Sequence, residues 1–521
     1  MSTFTAPSIA WSALIPVLIV AGAALLGVLV EALAPRSIRP VTQLVLSVLA
    51  VLGAAVALGS RWVQVNSGSV GTITGGLSED TFAVGAQAII LVIGFLSLLV
   101  MGDRTSANDG AFAAQAADRP GSAEETESLH AGWTTSEVYP LTLFSLAGMM
   151  LFPMANDFIS LFVTLELVSL PLYVLAATAR HRRLLSQEAA LKYFVLGSFA
   201  SAFLLMGAAL LYGFSGRITY AGVATAINSS QSAGGDWLVL AGVVLVTVGL
   251  LFKVAAAPFH AWSPDVYQGA PTPITGFMAA GVKAAAFLAL VRFYYLVAGS
   301  FGWDLAPFLW TVILLTMVVG TVVGIVQMDI KRMLAYSAIA HAGFMLIGLI
   351  GFNRLGVLSI LFYSLVYGVA TVGAFGIVSL VRVSHAGTPG AEATELAAWQ
   401  GLGRRSPLLA AAMGVFLLSF AGIPLTAGFV AKFQVFVAGA QGGAILLVVA
   451  AVLSSAATAF FYIRLMVLMF FREPQEESGV VVTSDGTAAA AILIAVCVTL
   501  VLGVLPGPLL EVLTRAAMLI P

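Results

Sequence analysis

The sequence predicts an all-α, polytopic membrane protein of about 14 transmembrane helices, arranged as two inverted five-helix repeats with broken seventh and twelfth helices. Three observations carry that prediction. The 521 residues are 60% hydrophobic and only 9% charged, where soluble domains carry about 25% charged residues. The apolar residues fall into fourteen runs (9–33, 41–60, 81–102, 138–155, 158–179, 189–214, 237–259, 273–298, 306–328, 332–351, 355–382, 406–437, 442–472 and 487–511), and a helix needs roughly 20 such residues to cross the hydrocarbon core. Two of the runs, the seventh and the twelfth, combine proline, glycine and a lysine.

The first run has no Lys or Arg before Arg36 and is long for a signal core, so it reads as a retained helix. The Lys/Arg distribution sets the expected orientation. Thirteen of these residues lie in odd-numbered loops, from Arg36 to Arg472, against Arg61, Arg217 and Arg354 in even ones. By the positive-inside rule the odd loops are cytoplasmic and both termini lie on the outer face. Residues 1–102 hold helices 1–3. The Ala-, Gly-, Ser- and acid-rich segment 103–137 reads as a flexible acidic cytoplasmic loop. Residues 138–300 form the first repeat, helices 4–8, and 301–472 the second, helices 9–13. Residues 473–521 hold a loop and helix 14. Segments 66–76 and 226–235 read as exterior loops, and 385–403 and 473–486 as polar connections.

The net charge of −1 and the lack of a large basic cluster exclude a nucleic-acid partner. The single cysteine, Cys497, cannot hold an iron–sulfur cluster. No metal set or cofactor is expected in this chain.

The charges that remain are in unusual places. Of five lysines, Lys331 sits in the short basic loop Met328–Arg332, whereas Lys192, Lys253, Lys283 and Lys432 fall inside apolar runs. A charge at a helix centre costs about 2.5–3.5 kcal/mol on insertion scales, so four such ammonium groups point to an ion path. Glu166, in LFVTLELVSLPLYVL, is the carboxylate at mid-helix, and a Glu166–Lys192 pair would let each charge compensate the other. Changing that pairing would switch a buried lysine between holding and releasing a proton. His260, seven residues after Lys253, and His341, in the tenth run, are candidate relays. Each is weighed against an ordinary hydrogen-bonded core histidine. Arg292 and Arg464 read as structural, snorkelling or pairing with a loop carboxylate. Asp265 and Tyr267 are expected to hold the segment SPDVYQGAPTP in shape, with Asp265 a further proton-uptake group. Pro258, Pro264, Pro271 and Pro273 break the seventh helix and Pro424, beside Gly422 and Gly428, breaks the twelfth. Paired interruptions five helices apart mark an inverted repeat with a site at the midplane.

The motifs LFVTLELVSLPLYVL, EAALKYFVLGS, LLFKVAAAPFHAWSPDVYQGAPTPITGF, DIKRMLAYSAIAHAGF and GIPLTAGFVAKFQVF make the chain resemble the antiporter-like membrane subunits of respiratory complex I, most closely their subunit N branch. The resemblance implies a proton-translocating subunit of NADH:quinone oxidoreductase in a bacterial plasma membrane. FMN, iron–sulfur clusters and quinone would then sit on partner subunits, and this chain would hold no redox centre. It further implies proton transfer by Glu166, Lys192, Lys253, His260, Lys283, His341 and Lys432, with small subunit K on the Glu166 side, antiporter-like subunit M on the Lys432 side and the lipid bilayer around. Mrp-type sodium/proton antiporter subunits share the fold and are the alternative, and a structural membrane scaffold is the third reading.

Overall fold

The computed structural model describes residues 9–519, apart from 69–70, 74–75, 106–109, 116–117, 120–121, 132, 134, 230–235, 386–387 and 475–479. Among the described residues, eleven helices are long and apolar enough to cross a membrane, and three shorter apolar helices, Val138–Met154, Trp237–Lys253 and Pro407–Ala421, complete fourteen crossings. The three short ones are short for identifiable reasons. In the first, Pro153 sits in the 3-10 turn Phe152–Met154 where the regular α-helix has ended at Leu151, and the other two are the leading halves of the broken helices.

Burial separates the helices into a core and a rim. The apolar stretch of Thr272–Leu296 is 100% buried, that of Ile330–Ile350 94% and that of Arg354–Leu380 89%, against 28% for Ile445–Phe471. The rim helices present Leu, Val and Phe outward, as for Leu191, Phe199 and Phe203 on Arg183–Ser215, because lipid is as apolar as they are. Close crossings rest on small residues. Arg183–Ser215 meets Asp236–Lys253 where Gly207 faces Gly242, and a Cβ on Gly207 would sit 2.6 Å from the Gly242 carbonyl oxygen.

Both interruptions leave helix ends whose carbonyls have no intrahelical partner. In the first, the helix ending at Lys253 turns through Ala255, in the left-handed region at φ 60°, and resumes at Trp262–Gly269. The Trp262 indole donates to the Phe252 carbonyl at 2.9 Å, and Thr316 Oγ1 accepts from the Ala257 amide at 2.9 Å. In the second, Pro407–Ala421 ends at Gly422 (φ 81°), and the chain passes Leu425 (φ 72°) before Ala427–Gln441 begins. Irregular backbone at this depth persists because protein groups satisfy it.

Three connecting segments hold local structure beyond what the sequence shows. The described part of 103–137 is hydrogen-bonded to neighbouring segments. The Ala113 amide donates to the Thr178 carbonyl at 2.8 Å, the Arg180 amide to Ala111 at 3.0 Å, and Thr135 Oγ1 to Ala113 at 2.6 Å. A short helix, Ala123–His130, brings Glu125 to Arg183, 3.4 Å away. Small side chains leave the backbone free to pair with its neighbour. Second, the connection after Leu380 forms a hairpin, Val381–His385 with Thr388–Glu392, which Val480–Val481 extends to a three-stranded sheet. Third, Gly71–Ile73 pairs with Leu77–Glu79, so part of 66–76 is a small ribbon. Residues 230–235 of the segment 226–235 lie outside the described residues.

The start of the fourteenth helix, Thr487–Val504, is held by Asp103. Its Oδ1 accepts from the Ala488 amide at 3.1 Å and Thr487 Oγ1 at 3.2 Å, and also from Ser484 Oγ. Burial pushes this carboxyl up to about 6, against the lowering effect of the Ser484 bond. The folded chain therefore binds this proton more tightly than an unfolded one, and the contribution to stability declines as pH rises from about 4 to 6 and is flat above. Asp103→Asn, which keeps the accepting oxygen, is expected to flatten that pH dependence. Thermal unfolding of detergent-purified wild type and variant between pH 4.5 and 7.5 measures it.

Candidate functional site, a buried file of lysines and hydroxyls

The site is built where the two breaks meet the buried core. Lys253 is 2% exposed and closes the first half-helix. Its Nζ donates to Ser169 Oγ at 2.7 Å and lies over the rings of Tyr173 and Tyr193, at 5.5 and 5.3 Å. Ser169 is three residues beyond Glu166 on Phe158–Ala176, a spacing that puts both on one helix face. Glu166 is half-buried and its Oε1 accepts from Ser201 Oγ.

Lys283 stands on the fully buried helix Thr272–Leu296, immediately after a π-helical turn at Met278–Val282. Its Nζ donates to the carbonyls of Val254, at 3.0 Å, and Ala338, at 2.6 Å. The first of these is the residue after Lys253. The ammonium thus caps the first half-helix at its negative end and ties it to Ile330–Ile350.

One turn beyond Ala338 on that helix stands His341, 2% exposed. Its Nδ1 pairs with the Tyr363 hydroxyl at 2.6 Å and its Nε2 with the Tyr462 hydroxyl at 3.2 Å. Tyr462 also meets Ser337 Oγ at 2.5 Å. The imidazole ring lies 5.7 Å from the Phe420 ring, and the Phe420 carbonyl accepts from Lys432 Nζ at 2.7 Å. Lys432, 4% exposed, donates further to Ala421 O at 3.0 Å and Ser455 Oγ at 2.8 Å.

Each break is therefore capped by an ammonium, the first by Lys283 from the next crossing and the second by Lys432 from the other half of the same broken helix. Along this line lie groups that hold exchangeable protons, in local clusters: Glu166 near Ser169 and Lys253, then Lys283, then His341 with its two tyrosines, then Ser455 with Lys432. Every member is an acid, a base or a hydroxyl that can hold a proton and pass it on.

Two of the residues marked in the sequence stand apart from this file. Lys192 does not pair with Glu166. Its side chain is 42% exposed and contacts Glu188 and Asp265, both at 2.7 Å. Glu166 instead faces Ser201, nine residues further along the same helix as Lys192, which is roughly 13 Å higher at 1.5 Å per residue. The depth of each group, invisible in a run of apolar letters, decides the partner. His260 lies in the first break, half-buried, with Nδ1 lacking a hydrogen-bond partner among the described residues. Asp265 is a hub, accepting from Lys192 and from Arg332 Nη1, both at 2.7 Å. Arg292 is fully buried and pairs with Asp80 at 2.7 Å. Arg464 caps the end of Gly302–Val326 through Ile325 O at 2.8 Å.

The hydroxyl members, Ser169, Ser337, Tyr363, Ser455 and Tyr462, were not marked in the sequence. Serine and tyrosine within apolar runs are too common to stand out. The one available signal was their position on helices already carrying Glu166, His341 or a break.

Residues 155–458, more than half of the chain, match the family described as NADH:quinone oxidoreductase/Mrp antiporter, transmembrane. NADH-quinone oxidoreductase subunit N of Beutenbergia cavernae is 53% identical over 450 residues, 85% of this chain and 84% of that protein. A chain in the structure of respiratory complex I from Thermus thermophilus with bound aureothin superposes with a TM-score of 0.76 at 33% identity, covering 96% of this chain and 99% of that one. A chain of the Mrp complex from Dietzia shares the fold, with a TM-score of 0.78 at 22% identity, covering 98% of this chain and 97% of that one. The matched segment contains the file from Glu166 to Ser455 except for Tyr462, and with it this chain belongs to the NADH-quinone oxidoreductase subunit N family of antiporter-like membrane proteins.

Proposed function

We propose that the chain is the proton-translocating membrane subunit N of an NADH:quinone oxidoreductase, moving protons through the buried file while quinone is reduced elsewhere in the complex. One observation carries the reading: three lysines no more than 4% exposed, Lys253, Lys283 and Lys432, are held by backbone carbonyls and hydroxyls, with no carboxylate in contact among the described residues to neutralise them. An ammonium held this way gains less from its surroundings than from water, so its charge is easily displaced when a neighbour changes charge. Glu166, one helical turn from the hydroxyl that Lys253 holds, is the group whose change of charge or partner would start the transfer. In this reading FMN, the iron–sulfur clusters and the quinone site lie on partner chains. Subunit K adjoins the Glu166 side and subunit M the Lys432 side, and the odd loops face the cytoplasm of a bacterial plasma membrane.

Purification from the native membrane tests this. The complex containing this chain is expected to show flavin and iron–sulfur absorbance and to reduce quinone with NADH while acidifying the far side of a vesicle. A complex without those chromophores that exchanges sodium for protons would establish the antiporter reading in its place.

A further inference from the structure

Away from the file, a cavity of about 550 Å3 opens at the end of the bundle where the first broken helix finishes. Arg182, Gln268, Asp329, Thr394 and Glu395 line it. Its inner wall is a polar partition: Gln268 Nε2 donates to Asp329 Oδ2 at 3.1 Å, and Arg332 Nη1 donates to Gln268 Oε1 at 3.1 Å and to Asp265 Oδ1 at 2.7 Å. Two residues past Gln268, the Ala270 carbonyl accepts from Lys331 Nζ at 2.7 Å. The sequence places Lys331 in a short surface loop. In the structure it is 4% exposed, on the first turn of Ile330–Ile350. This is a fourth enclosed lysine, outside the file.

We infer that this cavity is the water-filled mouth through which protons are taken up, and that Lys331 is the first buried group to accept them. Seven residues beyond Lys331 on the same helix is Ala338, whose carbonyl holds Lys283, a rise of roughly 10 Å at 1.5 Å per residue. The mouth thus addresses the middle of the file, at Lys283 and His341, and not its Glu166 end. A hydronium ion in the cavity gives its proton to the neutral Lys331 amine and becomes water. The resulting ammonium passes that proton, through intervening water, to the neutral amine of Lys283 and returns to its neutral form. The charges acting on Lys331 are the carboxylates Glu392 and Asp329 and the opposing Arg182. Behind Glu392 stand Arg382 and His181. Burial raises the Glu392 carboxyl, but Arg382 and then Lys331 more than offset this and hold it below the usual range. It is therefore a standing negative charge that draws a proton to Lys331. Thr272 Oγ1 fixes it at 3.2 Å.

The inference rests on the proton-translocating reading, and the test separates the two. Lys331→Arg, Lys331→Met, Glu392→Gln and Lys283→Met are made in the assembled complex and reconstituted in vesicles. Arginine keeps the charge and the cap on Ala270 but does not release its proton. Both Lys331 variants are expected to slow proton-coupled quinone reduction roughly tenfold, as loss of a proton-transfer group does. Glu392→Gln, with both lysines in place, is expected to move the alkaline limb of the rate profile to lower pH, because Lys331 then holds its proton less firmly. Wild-type pumping in Lys331→Arg, or an unmoved profile in Glu392→Gln, overturns the assignment and leaves Lys331 a helix cap. Normal pumping in Lys283→Met would instead overturn the broader function.

Discussion

Lys253→Ala is expected to stop proton transfer through this chain and, where redox and pumping are tightly coupled, to slow quinone reduction by roughly tenfold or more. The residue holds Ser169 at the Glu166 end of the file, and the carbonyl of the next residue, Val254, accepts from Lys283. Alanine removes the exchangeable proton and leaves a gap over the packed rings of Tyr173 and Tyr193. Proton-to-electron stoichiometry in reconstituted vesicles measures the effect, with electron transfer to an acceptor that bypasses quinone as the control for assembly. Lys253→Arg sharpens the result. A residue needed only for charge and ring contacts would tolerate arginine, whereas one that must give up its proton would not. Wild-type stoichiometry in either variant removes Lys253 from the path.

The second large effect concerns stability. Asp80→Ala is expected to destabilise the fold by about 3–5 kcal/mol, since it leaves a buried arginine without its counter-charge. Arg292 and Asp80 are both 0% exposed and 2.7 Å apart, and Arg292 Nε also donates to the Pro153 carbonyl at 2.6 Å. Asp80 does a second job, as its Oδ1 accepts from the Ala83 amide at 2.8 Å and caps Thr81–Met101. Asparagine caps as well as aspartate, so Asp80→Asn keeps the cap and loses the charge. Thermal unfolding in detergent should place Asp80→Asn nearly as low as Asp80→Ala. A midpoint near wild type for Asp80→Asn would mean that the ion pair contributes little.

Much of the site was legible because a charge in an apolar run is costly, and it therefore reports its own burial. Lys253, Lys283 and Lys432 could be marked without any knowledge of their neighbours, and proline and glycine located the two breaks beside them. The same logic failed for Lys192 and Lys331. Lys192 lies early in a 33-residue helix, where a long side chain reaches Asp265 and solvent. Lys331 lies at a helix start that reads as a loop, although Ala270 and the hairpin above enclose it.

The amino-acid order by itself determined the membrane-spanning class, the number of crossings, the two interrupted helices and which cations are forced inside, because each follows from the local cost of placing polar groups in hydrocarbon. Tertiary structure alone decided who meets whom. Ser169 and Lys253 are 84 residues apart and Ser337 and Tyr462 are 125. Whether such groups touch depends on the depth and rotation of each helix, which packing sets across the whole bundle.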